Sequence, residues 1–121
     1  MTKRKILIVE DEIALSRVLA LKLTASGFEC EVASDGLTAY EKIKAGGFNL
    51  IILDLILPGL DGFEILEKTK ELKERPKIVV LSNLNQVSDV KRVKDLGAID
   101  FFVKSNIQLA DIVSYVKKLL P

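Results

Sequence analysis

The chain has 121 residues, 49% apolar and 29% charged, with eighteen basic side chains against seventeen acidic ones for a net charge of +1. At roughly 150 residues per domain that length suits one domain, 1–121, too rich in aliphatics for a disordered segment and without a global field to draw it onto nucleic acid or anionic lipid. There is no histidine and one cysteine, Cys30, which excludes Ser–His, Cys–His and zinc–histidine chemistry and any internal disulfide.

The basic start, Lys3-Arg4-Lys5, is followed by only Ile6 to Val9 before Glu10, too short a run for a signal peptide. Ile6-Leu7-Ile8-Val9 reads as a first strand buried on both faces. Leu15, Val18, Leu19 and Leu23 recur at helical spacing, with Gly27 at the expected C-terminal cap. Cys30 to Ala33 is expected to be a short buried strand, Asp35-Gly36 a helix start, and Leu37, Tyr40 and Ile43 the stripe of a helix ending at Gly46-Gly47. Leu50 to Leu53 is the third strand, and the apolar stretch that it opens, Leu50 to Leu57, is broken by Asp54 and far short of a membrane span. After the Pro58-Gly59 and Asp61-Gly62 turns, Phe63, Leu66 and Leu72 predict a charged helix that stops before Pro76. Ile78 to Leu81 is strand four, Val87 to Leu96 a polar helix capped by Gly97, and Phe101 to Val103 strand five. Leu109, Ile112, Val113, Val116 and Leu120 mark an amphipathic last helix.

Strict alternation of five strands and five helices predicts an α/β chain: a three-layer, doubly wound (βα)5 sandwich around a five-stranded parallel sheet. The common order, 2-1-3-4-5, opens a crevice at the carboxyl ends of strands one and three. Glu10 and Asp11 follow strand one and Asp54 follows strand three, so the topology brings three carboxylates together. Glu10 and Asp11 have an alternative reading as loop or cap residues. Asp54, flanked by leucines and isoleucines, requires a cationic partner or a function, because an unpaired buried charge costs several kcal/mol. Oxygen ligands without nitrogen or sulfur suit Mg²⁺ or Mn²⁺. The cation's two charges and that of Lys104, at the end of strand five, balance the three carboxylates. Ser82 places a hydroxyl on the same rim.

With those residues assembled, the whole chain resembles a response regulator receiver domain of two-component signalling. The matching motifs are Ile8-Val9-Glu10-Asp11-Glu12, Leu53-Asp54-Leu55, Leu57-Pro58-Gly59-Leu60-Asp61-Gly62, Val80-Leu81-Ser82, Gly97-Ala98 and Phe101-Phe102-Val103-Lys104. The resemblance implies a phosphoacceptor switch in which Asp54 takes a phosphoryl group from a phosphohistidine on a sensor histidine kinase or phosphotransfer protein. It implies that Asp11, Asp54 and the Ile56 carbonyl hold Mg²⁺, with Glu10 acting through water, and that Lys104 contacts the phosphoryl group. Ser82 is then the switching hydroxyl, Phe101 the aromatic that changes rotamer with it, and the face of helix four, strand five and helix five the surface that changes for a downstream protein target. Such a domain assists its own phosphorylation and dephosphorylation without being a conventional enzyme. Phosphoryl transfer needs an in-line nucleophile and cations on the equatorial oxygens, so the lack of histidine is no handicap. A cytoplasmic monomer is expected before phosphorylation, with no direct contact to nucleic acid or membrane.

Four positions depart from the family pattern. Ser105 stands where a proline usually follows the lysine; a trans peptide is expected there, with Lys104 aimed differently, and Ser105 reads as a helix N-cap with Gln108 completing a capping box. Ser82 stands where threonine is also common, Glu10 replaces an aspartate, and Asn83 replaces a small residue and is expected to crowd access to Asp54. Ile56 and Leu84, two positions after Asp54 and Ser82, are apolar where a polar side chain would orient a hydrolytic water, so a long-lived acyl phosphate is expected. Arg92, Asp100 and Asp111 are candidates for ion pairs on the helix four and helix five face. Competing readings are a receiver-like docking module that has lost its switch, against which Glu10, Asp11, Asp54, Ser82 and Lys104 all argue, and an enzyme on the same fold. A flavin- or nucleotide-binding protein would need glycines, not carboxylates, after strand one. An aspartate-dependent phosphatase would need an acid at position 13, which is isoleucine.

Overall fold

A computed structural model describes residues 3–84 and 86–121. Five strands, β1 (Lys5–Val9), β2 (Glu29–Ala33), β3 (Leu50–Leu53), β4 (Lys77–Ser82) and β5 (Asp100–Val103), form one parallel sheet in the order β2-β1-β3-β4-β5. The helices among the described residues are α1 (Ile13–Ala25), α2 (Gly36–Ala45), α3 (Gly62–Thr69), α4 (Val87–Asp95) and α5 (Leu109–Leu119), with a 3-10 helix at Lys104–Asn106. The fold is the doubly wound (βα)5 sandwich that the alternation of elements implies.

Period-two alternation along the strands divides the core in two. Ile6, Ile8, Leu50, Ile52, Val79 and Leu81 face α1 and α5, meeting Leu19, Leu23, Ile112 and Val116. Leu7, Val9, Ile51, Leu53, Ile78 and Val80 face the other three helices, meeting Ala39, Ile43, Phe63, Ile65, Leu66 and Val93. β1 and β3, central in the sheet, have apolar neighbours on both faces, which is why their sequences lack polar alternation.

Local details differ from the sequence reading. Val18 lies on the exposed side of α1, and the buried position beside Leu19 is taken by Ser16, whose hydroxyl donates to the Ile13 carbonyl at 3.1 Å. Leu37 points outward from α2 while Ala39 and Ile43 are buried. β2 is an edge strand, and Cys30 is half-buried rather than in a buried strand, with burial pushing its thiol pKa up. α3 stops at Thr69, short of Leu72. In a continuing helix the Leu66 carbonyl would accept the Lys70 N–H; here it accepts the Thr69 hydroxyl at 2.9 Å and Arg75 Nη2 at 3.3 Å. The chain then tightens into three-residue turns, with Lys70, Glu71 and Leu72 donating to Glu67, Lys68 and Thr69.

Candidate functional site

β1 and β3 end at the same level because Val9 pairs with Leu53. The residues that follow therefore leave the sheet side by side. The Glu10 N–H donates to Ala33 and the Asp54 N–H to Val9, each at 3.0 Å, which extends the ladder one step and fixes both carboxylates at its carboxyl edge. Gly62 presses on this edge from α3: its N–H donates to the Leu55 carbonyl at 3.0 Å, and a Cβ there would lie 2.6 Å from the Asp54 carbonyl oxygen. The sequence marks Gly62 as turn punctuation; its role as the floor under Asp54 depends on a contact that the sequence does not display.

Oxygens of Glu10, Asp11 and Asp54 lie within 4.8 Å of one another. Glu10 and Asp54 are buried, at 3% and 4% exposure, whereas Asp11 is open to solvent. Burial of this kind demands a counter-charge, and Lys104 provides it. Its Nζ donates to Asp54 Oδ2 at 2.7 Å and also pairs with Glu10 Oε1. The second oxygens are held by main-chain donors, Asp54 Oδ1 by Ile56 N–H at 3.3 Å and Glu10 Oε2 by Glu12 N–H at 3.0 Å. Burial pushes the Glu10 carboxyl up from the usual carboxylate range, against the pull of Lys104 and the Glu12 N–H. For Lys104, burial disfavours the ammonium, but the bonds to Asp54 and Glu10 outweigh it and move its pKa upward.

No peptide bond among the described residues is cis, and Lys104 points into the carboxylates despite the serine after it, contrary to the expectation that it would be aimed elsewhere. Ser105 is not the cap of α5. It lies within the 3-10 turn, and the N-cap is Gln108, without a side-chain cap bond. The Ser105 N–H instead donates to Asn83 Oδ1 at 3.0 Å. Ser82 is fully buried and its Oγ accepts the Leu84 N–H at 3.3 Å. Ile56 stands outward from the rim at 55% exposure. Phe101 is half-buried against the core on the α2–α3–α4 side, while Phe102 meets Tyr115 edge-on at 4.8 Å on the other.

The anticipated ion pairs among Arg92, Asp100 and Asp111 do not form among the described residues. Arg92 lies over the Phe63 ring at 4.1 Å and reaches Glu67 at 3.5 Å, and Asp100 accepts the Tyr115 hydroxyl at 2.8 Å. Burial raises the Tyr115 pKa, and the bond to Asp100 raises it further.

Chemically, the rim combines two buried carboxylates, a half-buried ammonium and an exposed carboxylate. Three carboxylates against one ammonium leave two uncompensated negative charges, a donor set of hard oxygens able to coordinate a divalent cation. No described helix is long and apolar enough to cross a membrane.

Comparison with known proteins agrees with this geometry. Residues 6–117 match the family model for the response regulator receiver domain. The chain is 31% identical over 121 residues to sporulation initiation phosphotransferase F of Bacillus subtilis, covering all of this chain and 97% of that protein. It is 30% identical over 120 residues to the uncharacterized transcriptional regulatory protein YkoG of the same organism, covering 99% of this chain but 52% of YkoG. The chain spans about half the length, or less, of the curated transcriptional regulators it matches. Among solved structures, the CheY-like receiver domain protein of Methanospirillum hungatei JF-1 superimposes with a TM-score of 0.91 at 27% identity, over 98% of this chain and 94% of that one.

Proposed function

Because the chain belongs to the response regulator receiver domain family, we propose that Asp54 is its phosphoacceptor and that residues 1–121 act as one phosphorylation switch. Receiver domains undergo reversible phosphorylation rather than conventional catalysis, and the Glu10, Asp11 and Asp54 cluster is a site of that type. The observation that supports Asp54 is its combination of burial with a 2.7 Å bond to Lys104: a nucleophilic oxygen held beside a cation that can follow the charge onto a phosphoryl oxygen.

An Asp54 carboxylate oxygen attacks the phosphorus of a phosphohistidine on a sensor kinase or phosphotransfer protein. The O–P bond forms as the N–P bond breaks, and the leaving imidazole takes up a proton. Asp11, Asp54 and the Ile56 carbonyl, with Glu10 through water, would hold Mg²⁺ or Mn²⁺, which when bound neutralises charge on the phosphoryl oxygens. Lys104 releases part of its hold on Asp54 to contact the phosphoryl group. The Ser82 hydroxyl turns toward that group, Phe101 follows into the space vacated, and the α4–β5–α5 face changes for a downstream protein target. On this reading the domain works in the cytoplasm as a monomer before phosphorylation and makes no direct contact with nucleic acid or membrane.

Incubation with Mg²⁺ and a small acyl or amido phosphate donor is expected to add one phosphoryl group by mass spectrometry. The label should disappear in Asp54→Asn and on chelation of the metal; label on Asp54→Asn at the wild-type rate sinks the assignment. Lifetime provides a further check. With apolar Ile56 and Leu84 flanking the phosphoryl group and Asn83 beside them, no side chain at the two apolar positions orients water for in-line attack, so decay after donor removal is slow. Ile56→Asn and Leu84→Glu should each accelerate it, and decay that neither variant changes removes these positions as the timer.

A further inference from the structure

The two most unusual residues near the site, Asn83 and Ser105, are the two halves of one hydrogen bond. β4 and β5 pair as far as Ser82 opposite Val103, so Asn83 and Lys104 leave the sheet as neighbours. Lys104 opens a 3-10 turn with no side-chain cap, and the N–H groups of a first turn have no partner within it. One of them, the Ser105 N–H, donates to Asn83 Oδ1 at 3.0 Å, closing a bridge between the β4–α4 loop and the residue beside Lys104. A proline at 105 would have no N–H to give, and an alanine or glycine at 83 would have no side-chain oxygen to receive it.

We propose that Asn83 is a positioning residue: by holding the Ser105 N–H it fixes the strand-end turn that carries Lys104 and so aims the ammonium at Asp54. The need for such a fastening follows from the lysine itself, a point charge on a flexible four-carbon stem whose direction depends on how firmly its main chain is held. The bridge also joins the two sides of the rim, because the loop that supplies Asn83 begins at Ser82, whose hydroxyl already organises it through the Leu84 N–H. The Asn83 oxygen is thereby engaged with the neighbouring strand end, so the residue acts on Asp54 through Lys104.

The inference rests on Asp54 being the phosphoacceptor, and its test is separable from that reading. Asn83→Ala should slow phosphorylation by a small donor roughly fivefold, the scale of one ordinary hydrogen bond. The same substitution in a Lys104→Ala background should cause no further slowing, because there is no ammonium left to aim. Ser105→Ala keeps the main-chain N–H and should react at the wild-type rate. By hydrogen exchange, the Ser105 amide should lose protection in Asn83→Ala and regain it in Asn83→Asp, which restores an acceptor oxygen. An unchanged or faster rate in Asn83→Ala, slowing that persists without Lys104, or a Ser105 amide indifferent to residue 83 each overturns the proposal. Failure of the wild-type chain to be labelled at all would overturn the phosphoacceptor reading, and the amide exchange would still decide whether the bridge exists.

Discussion

α3 and α4 lie on the same face of the sheet and are held to it by different means. α3 buries Gly62, Phe63, Ile65, Leu66 and Thr69 in eight residues, and its first turn is closed by a capping box in which Asp61 accepts the Glu64 N–H at 2.9 Å and Glu64 reaches back to the Asp61 N–H. α4 buries Val93 alone, and its N-cap, Gln86, makes no side-chain bond. Arginines supply what apolar contact does not. Arg92 covers Phe63 and meets Glu67, and Arg75 Nη2 donates to Leu66, Thr69 and the Leu96 carbonyl, tying the C-terminal ends of the two helices together. Gly97 is required at this junction, since its φ is +103° and a Cβ would strike Arg75 Nη1. α3 is thus a fixed support beneath the site, and α4 is a lightly seated element hinged at its far end. A switch needs both: a rigid frame for the chemistry and an element that shifts for little energy.

Removing apolar volume from the fixed element should do most damage. Leu66→Ala is expected to cost about 3 kcal/mol of global stability, measured by denaturant unfolding, because the close-packed wall around Leu66 collapses only partly. Arg75→Ala leaves the Leu96 carbonyl and the end of α3 without their shared donor and should cost about 2 kcal/mol. Hydrogen exchange should show α4 loosening beyond α3 in that variant, and equal loosening of both would contradict the hinge. Val93→Ala removes two buried methyl groups, worth about 1.6 kcal/mol, and should raise exchange in α4 with α3 unchanged. Arg92→Ala is the mildest, at about 0.5 kcal/mol, since its contacts are half-exposed. Its informative readout is α4 exchange, which should rise while the unfolding midpoint hardly moves.

Much of this contrast lies beyond what local pattern can convey. Leu50 to Leu53 and the order of elements are legible because β3, between β1 and β4, carries no polar residue on either face. The carboxylates and Lys104 are legible because a charge at the end of an apolar run has few explanations. The length of α3 is not, because Leu72 continues the helical spacing while the Leu66 carbonyl that would sustain the helix is claimed by Arg75, nine residues away. Arg75 itself looks like any charged residue before a proline. Asn83 and Ser105 each stand out alone, but their bond spans 22 positions and exists only once β4 and β5 lie side by side. Arg92 is visible as a cation on an exposed helix, and its aromatic partner across the groove is not.

The outer position of β2 bears on how the molecule keeps its own company. An open sheet ends in a row of main-chain donors and acceptors that another strand could adopt. Of the five residues on this border two are glutamates, and Glu31 is clasped by Lys5 at 2.7 Å and Lys42 at 2.8 Å. Those lysines hold the Glu31 carboxyl below the usual carboxylate range, so the ion pairs persist into mildly acidic solution. Charged side chains on a sheet edge disfavour the addition of another strand, and beside this one three charges are already paired with one another. The border of the sheet that a further strand could most readily extend is in this way blunted by charge.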